Sequence, residues 1–212
     1  MAVFLANIGV NAGHAARSPI LGDGSFVVIP IPERQTWRPP MLRLGDLEQV
    51  AAHAPSRLAG VAVHLDPDLA NSIPTYGDNC RRAARAYVLR RAAPDDRIVF
   101  LARLHPADAP AAFYLVGELV IAEILPDVLA DPGRGWWDAN AHVRRARATG
   151  LWDSFWVFRG GPGSRFYPQA RPFRRAEVES LFDTPWLWRA NRTELQTIGS
   201  YTRTIRLLPD SV

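Results

Sequence analysis

Asp95-Asp96-Arg97-Ile98-Val99-Phe100-Leu101-Ala102-Arg103-Leu104 and, after a short connection, Ala112-Phe113-Tyr114-Leu115-Val116-Gly117-Glu118-Leu119-Val120-Ile121-Ala122-Glu123-Ile124-Leu125 decide how the rest of the chain must fold. Both runs are rich in β-branched and aromatic residues, which favour extended backbone. The connection, His105-Pro106-Ala107-Asp108-Ala109-Pro110, carries prolines, which cannot donate to a sheet ladder. The pair reads as two long antiparallel strands, with Gly117 marking a bend or a close approach of another backbone. Nearly every position is apolar, so both faces need cover, as in a small closed barrel.

Working outward, residues 3–8 read as a strand that runs into a polar, glycine-containing segment. Gly22-Asp23-Gly24 is a tight turn, and residues 26–32 form a second strand closed by prolines. Residues 33–60 are irregular and Pro/Trp-rich, an insertion with one short helix at 45–53, and residues 61–65 read as an edge strand. Residues 79–92 place Cys80, Ala83, Ala84, Tyr87 and Val88 on one side and arginines on the other, an amphipathic helix capped by Asp78. Residues 126–130 suit a helical turn. A helix over 138–148 is capped by Asp138 and stopped by Gly150. A strand at 154–159 enters a glycine-rich hairpin turn, a helix follows over 175–182, and residues 200–208 are extended. The expected architecture is a single α+β domain over residues 1–212.

The chain has 212 residues, 48% of them hydrophobic and 22% charged, enough to bury a core. All 25 basic residues are arginine, so every cationic contact is a planar fork suited to phosphates and aromatic faces. The net charge of +4 leans towards anionic partners. Cys80 is alone, which excludes an intrachain disulfide and a cysteine-based zinc site. Neither a signal-type N-terminus nor a membrane-length apolar run is present, so the expected location is the cytoplasm, with no membrane partner.

Four groups of residues carry chemical potential. Asn7, Asn11, His14, Arg17 and Ser18 follow the first strand, with Gly9 and Gly13 among them. Their amides suit the planar donor–acceptor edge of a base. Phe158-Arg159-Gly160-Gly161-Pro162-Gly163-Ser164-Arg165-Phe166 could hold a phosphate on backbone N–H groups, although it is not a phosphate-loop motif. His142 shares a helix with Asn140, Arg144, Arg145 and Arg147. Seven tryptophans are many for this length, and one or two could stack on a base. No His-x-Glu or His-Glu-x-x-His pattern occurs, so neither a metal nor a cofactor is expected. No Gly-x-Ser-x-Gly motif supports nucleophilic catalysis.

Asp95-Asp96-Arg97-Ile98-Val99-Phe100-Leu101 with Tyr114-Leu115-Val116-Gly117-Glu118 and Val120 resembles the hairpin of PUA-like domains, the group that includes ASCH, EVE and YTH modules. Six further segments are similar to the nucleotide modification associated domain families, in particular the third type. They are Leu5-Ala6-Asn7-Ile8-Gly9-Val10-Asn11, Arg17-Ser18-Pro19-Ile20, Ile29-Pro30-Ile31-Pro32-Glu33, Thr75-Tyr76-Gly77-Asp78, Asn140-Ala141-His142-Val143-Arg144-Arg145, and Phe158-Arg159-Gly160 with Ser164. The resemblance implies a small, twisted, mostly antiparallel β-barrel flanked by helices, with a base-binding pocket between strand ends. It also implies a prokaryotic DNA-modification or defence setting, with DNA favoured over RNA as partner and other modification or defence proteins alongside.

On that reading Asn7, Asn11, Ser18, Thr75, Tyr76, Asp78 and His142 contact a base, expected to be a modified one, in nucleic acid or as a nucleotide, while Trp156 or Phe158 stacks on it. Arg17, Arg144, Arg145, Arg159, Ser164 and Arg165 hold phosphates. The alternative is an enzyme acting on a nucleotide or base substituent, amidohydrolase-like or a base-modifying transferase. Asp78 or Glu118 then serves as general base and His142 as acid or orienting group.

Overall fold

The computed structural model describes residues 1–8, 17–182 and 185–209. Its strands are β1 (Val3–Asn7), β2 (Ile31–Pro32), β3 (Leu42–Arg43), β4 (Ala62–His64), β5 (Thr75–Asn79), β6 (Arg97–Leu104), β7 (Ala112–Val128), β8 (Phe155–Gly160), β9 (Arg165–Pro172) and β10 (Arg206–Leu207). The α-helices are α1 (Glu48–Ala51), α2 (Ala141–Thr149), α3 (Arg175–Leu181) and α4 (Glu194–Tyr201). The fold is α+β, with one large mixed sheet and one small one.

The apolar hairpin is the centre of the large sheet. β6 and β7 pair antiparallel from Arg97↔Val120 to Leu104↔Ala112, and β1 joins the other edge of β6 in parallel. The ladder slips between Phe100 and Leu101, opposite Gly117. Gly117 lies where β9 crosses: a Cβ there would stand 2.6 Å from the carbonyl oxygen of Arg165. The path β10-β1-β6-β7-β8-β5, with β9 also on β7, leaves β10 and β5 unjoined among the described residues, so the sheet is open rather than a closed barrel.

Alternation along the strands separates two cores. Phe4, Ala6, Ile98, Phe100 and Tyr114 pack on one face with Phe158 and Trp156, whereas Leu5, Leu101 and Phe113 meet Phe173, Val178, Trp186 and Ile198 on the other. Phe4, Phe100, Phe155, Phe158 and Phe173 are fully buried, and each stabilises the fold by about 2–3 kcal/mol through apolar burial.

Several expected elements differ. Within residues 26–32 only Ile31–Pro32 forms a strand, with Phe26 in an isolated bridge to Ile20, because Pro30 and Pro32 lack an N–H for a longer ladder. β4 is central in the small sheet, between β2 and β3, and not an edge. Residues 33–60 supply β3 and α1 to that unit, whose core is Ile29, Leu44 and Val63.

No helix spans residues 79–92. β5 runs to Asn79, Ala83 adopts φ 66°, and a 3-10 turn covers Tyr87–Arg91. The Asp78 carboxylate, expected as a helix cap, accepts instead from the Tyr76 hydroxyl at 2.7 Å and Arg85 Nε at 3.0 Å. Residues 126–128 continue β7 rather than form a helical turn, since Leu125 and Val128 pair with Val157 and Phe155. The cap of α2 is Asn140, whose Oδ1 accepts the His142 N–H at 3.0 Å; Gly150, at φ 74°, ends it as expected. The glycine turn after β8 is not a hairpin turn, because β8 and β9 both pair with β7. α4 runs through Ser200 and Tyr201, where extended chain was expected.

Candidate functional site

β5 divides two polar clusters, because successive residues of a strand face opposite sides. On one side Tyr76 and Asp78 meet Arg85, whose Nη2 reaches the Asn7 carbonyl at 3.1 Å; Asn7 Nδ2 donates to Thr202 Oγ1 at 2.8 Å. This network ties β1, β5 and the 79–91 segment together.

On the other side Thr75 and Gly77 face the start of α2 and the end of β4. Gly77 N–H donates to Asp66 Oδ2 at 2.8 Å and to Oδ1 at 3.0 Å. The glycine is required by space: a Cβ would lie 2.7 Å from His142 Cδ2, 3.0 Å from Asn140 Oδ1 and 3.1 Å from Asp66 Oδ2. Asn140 Nδ2 donates to Thr75 Oγ1 at 3.3 Å, so the helix cap also fastens α2 to β5.

Two imidazoles close on Asp66. His64 Nε2 and His142 Nε2 lie 3.8 and 3.6 Å from Asp66 Oδ2, and the rings meet edge to face with centroids 4.5 Å apart. His64 Nδ1 contacts Glu33 Oε1 at 2.8 Å, and pairing of β2 with β4 sets these two side by side. Burial pushes the Asp66 carboxyl well above the usual range, aided by the charges of Asp78 and Asp68 and opposed by the Gly77 N–H. Burial holds His142 well below the ordinary imidazole value, and the neighbouring His64 and Arg145 act in the same direction. Burial raises Glu33, but its hydrogen bond to His64 and the charges of His64 and Arg145 outweigh this and leave it below the ordinary value. Two imidazole nitrogens and one carboxylate oxygen are a donor set suited to a transition metal.

Beside this cluster opens a cavity of about 560 Å³, within the range that takes a small ligand. Phe26, Phe166 and Tyr167 form apolar walls, Asp68 and Glu48 bring carboxylates to the lining, and Asp66 borders it with its own carboxylate turned to the Gly77 N–H. Phe26 and Phe166 pack edge to face, centroids 6.3 Å apart. Asp68 accepts from Asn71 Nδ2 at 3.2 Å, and burial raises its carboxyl against the influence of Asn71 and Arg144.

The structure brings together Thr75 and His142 of the expected base-contacting set, and separately Asn7, Tyr76 and Asp78. Ser18 is buried, its Oγ accepting from the Ile29 N–H at 3.0 Å. Asn11 and His14 lie outside the described residues. Trp156 sits in the core with its indole N–H on Asp127 at 3.0 Å, and Phe158 is fully buried, which leaves it no face for a base.

The expected phosphate ligands do not ring one hollow. Arg145, Arg159 and Arg165 pair with Asp153, Glu123 and Glu118 at 3.2, 2.6 and 3.4 Å. Arg144 is half-buried near Asp68, and Arg17 is exposed. Ser164 Oγ accepts the Val120 N–H at 3.0 Å inside the turn. Asp78, Glu118 and His142 do not converge: Glu118 is buried against Arg97 and Arg165, Asp78 lies with Tyr76 and Arg85, and His142 lies on Asp66.

His64, Asp66 and Glu33 were not singled out from the sequence. Their one local signal is His64-Leu65-Asp66 at a strand end, since the second imidazole comes from α2, far along the chain.

Among the described residues no helix is long and apolar enough to cross a membrane. The family profile described as nucleotide modification associated domain 3 matches residues 3–204. No curated protein and no solved structure matches the chain.

Proposed function

The chain belongs to the nucleotide modification associated domain 3 family, and from that premise we propose that its cavity binds a nucleobase, in nucleic acid or as a nucleotide, in a DNA-modification or defence setting. One observation carries the reading: a cavity of about 560 Å³ combines the rings of Phe26, Phe166 and Tyr167 with the carboxylates of Asp68 and Glu48. Aromatic walls suit the face of a heterocycle, and carboxylates accept from exocyclic amino and ring N–H groups at its edge. The pocket thus lies against β9 and the 65–68 turn. The strand-rim position expected from a PUA-like barrel remains part of the proposal only for Thr75 and His142, which border the same turn through Asp66. Arg144, near Asp68, and Arg165, next to Phe166, are the cations assigned to phosphate.

The test is titration of the protein with nucleotides and with single- and double-stranded oligonucleotides, plain and base-modified, at low and high salt. Binding should be selective for base identity, weaken with salt, and fall by about 5–100-fold in Phe26→Ala or Phe166→Ala, the worth of one stacking contact. Absence of binding by any member of the set at low salt, or unchanged binding in both variants, overturns the proposal.

A further inference from the structure

We infer that His64, Asp66 and His142 bind one divalent first-row transition-metal ion, of the zinc or iron(II) class, and that Glu33 orients one of its ligands. Spacing is the first support. One donor atom from each of the three residues lies within 4.8 Å of the other two, and both Nε2 atoms are 3.6–3.8 Å from Asp66 Oδ2. Ligands about 2.0–2.2 Å from a common tetrahedral ion stand roughly 3.3–3.6 Å apart. A direct imidazole–carboxylate hydrogen bond closes to about 2.8 Å, as Glu33 and His64 do at 2.8 Å. The Asp66 contacts are thus too long for hydrogen bonds and near the span that an intervening ion sets.

The second support is the Glu33 contact: its Oε1, 2.8 Å from His64 Nδ1, is an acceptor for that ring nitrogen and holds the imidazole with Nε2 turned towards Asp66. Carboxylate–histidine pairs of this kind hold the tautomer and orientation of metal-bound imidazoles.

The third is His142 itself, a ring that is only 8% exposed. Packing on Phe155 and His64 fixes the ring, with centroid distances of 5.2 and 4.5 Å, so that Nε2 faces Asp66. Asp66 accepts from the Gly77 N–H and, at 3.5 Å, from Asn140 Nδ2, and among the described residues no arginine forms an ion pair with it.

Two nitrogen donors favour a transition metal over magnesium or calcium, which prefer all-oxygen sites. Three protein ligands leave coordination positions for water or a substrate atom, as in reactive rather than closed structural centres. Asp66 also belongs to the cavity wall, which sets the ion at the margin of the proposed base site. Metal binding does not depend on that reading, so it is measured without nucleotide.

The experiment uses the full chain, stripped with a chelator and dialysed, then titrated with cobalt(II) followed by its visible absorption and with zinc(II) in competition with a chromogenic chelator. One equivalent should bind and the thermal midpoint should rise. His64→Gln and His142→Gln, folded by circular dichroism, should bind at least about 100-fold more weakly, and Glu33→Gln about 10–100-fold more weakly, the usual cost of losing such a partner. Should His142→Gln fail to fold, His64→Gln decides, since that ring is more exposed. No saturable binding of cobalt(II), zinc(II), iron(II) or manganese(II) by the folded protein, or binding unchanged in the histidine variants, overturns the inference.

Discussion

Replacing Gly77 by alanine asks most directly whether the packing at the β5–α2 junction is as tight as described. The new methyl would stand 2.7 Å from His142 Cδ2, about 0.7 Å inside the 3.4 Å at which ordinary van der Waals contact begins. It would also crowd Asn140 Oδ1 at 3.0 Å and Asp66 Oδ2 at 3.1 Å. None of these atoms ends a flexible chain. The imidazole lies on Phe155, the amide caps α2, and the carboxylate is bonded to the N–H of residue 77 itself. Relief therefore needs movement of α2 or of the 64–66 turn, and overpacking of this kind costs about 1–3 kcal/mol. For a domain of this size the loss corresponds to a fall in Tm of roughly 3–10 °C. Urea unfolding followed by tryptophan fluorescence would measure it. Gly60→Ala, where no atom lies within 4 Å, is the control and should stay within about 0.5 kcal/mol of wild type. Adding His142→Ala to Gly77→Ala frees the space, so the double variant should lose less than the sum of the single losses. Equal stability of Gly77→Ala and Gly60→Ala would refute the account of the site.

Two further predictions concern groups outside the site. Cys80 is fully buried, and burial, with Asp78 next to it, pushes its thiol up and away from the reactive thiolate; a thiol reagent at pH 8 should label the protein only after denaturant is added, and fast stoichiometric labelling of the native state would contradict the packing of residues 79–91. The Trp156 N–H, followed by Arg90 and Ser154, holds the Asp127 carboxyl below its ordinary value. A depressed carboxyl stabilises the fold above the unfolded-state pKa of about 3.9 and loses that contribution as pH falls through the folded value. Asp127→Asn should therefore flatten the acid limb of the stability–pH curve measured by urea unfolding, and an unchanged limb would show that the contact carries no net stabilisation.

How much of this could be read beforehand depended on how local the deciding forces are. The β6–β7 hairpin and the crossing at Gly117 were legible because each run carries its own apolar content and the glycine interrupts it. Gly150 announced the end of α2 for the same reason. The 79–92 segment misled: its apolar spacing is that of a helix, but Cys80, Ala86 and Leu89 are buried in the sheet core and Asp78 answers to Arg85 and Tyr76. Closure of the sheet was beyond the sequence, since a run apolar on both faces is equally satisfied by an open sheet covered on one side by α3, α4 and Trp186. Trp156 and Phe158 were credible stacking groups until the packing against Tyr76 and Phe100 took their surfaces. His64 and Asp66 escaped notice because contiguous motifs report only donors from one element, and this cluster draws on β4, the turn after it, and α2.

The long strand β7 changes neighbours partway along its length, and that has a practical outcome for protein engineering. Val120 receives the Gly161 N–H on its carbonyl at 2.7 Å and gives its own N–H to Ser164 Oγ. The bend at 161–164 thus fills the gap where β9 stops and β8 begins, in the manner of a mortar joint between two bricks laid on one course. Surface loops ordinarily accept epitope tags or fused domains, yet an insertion here would unseat two strands at once and expose a bare stretch of sheet to other chains.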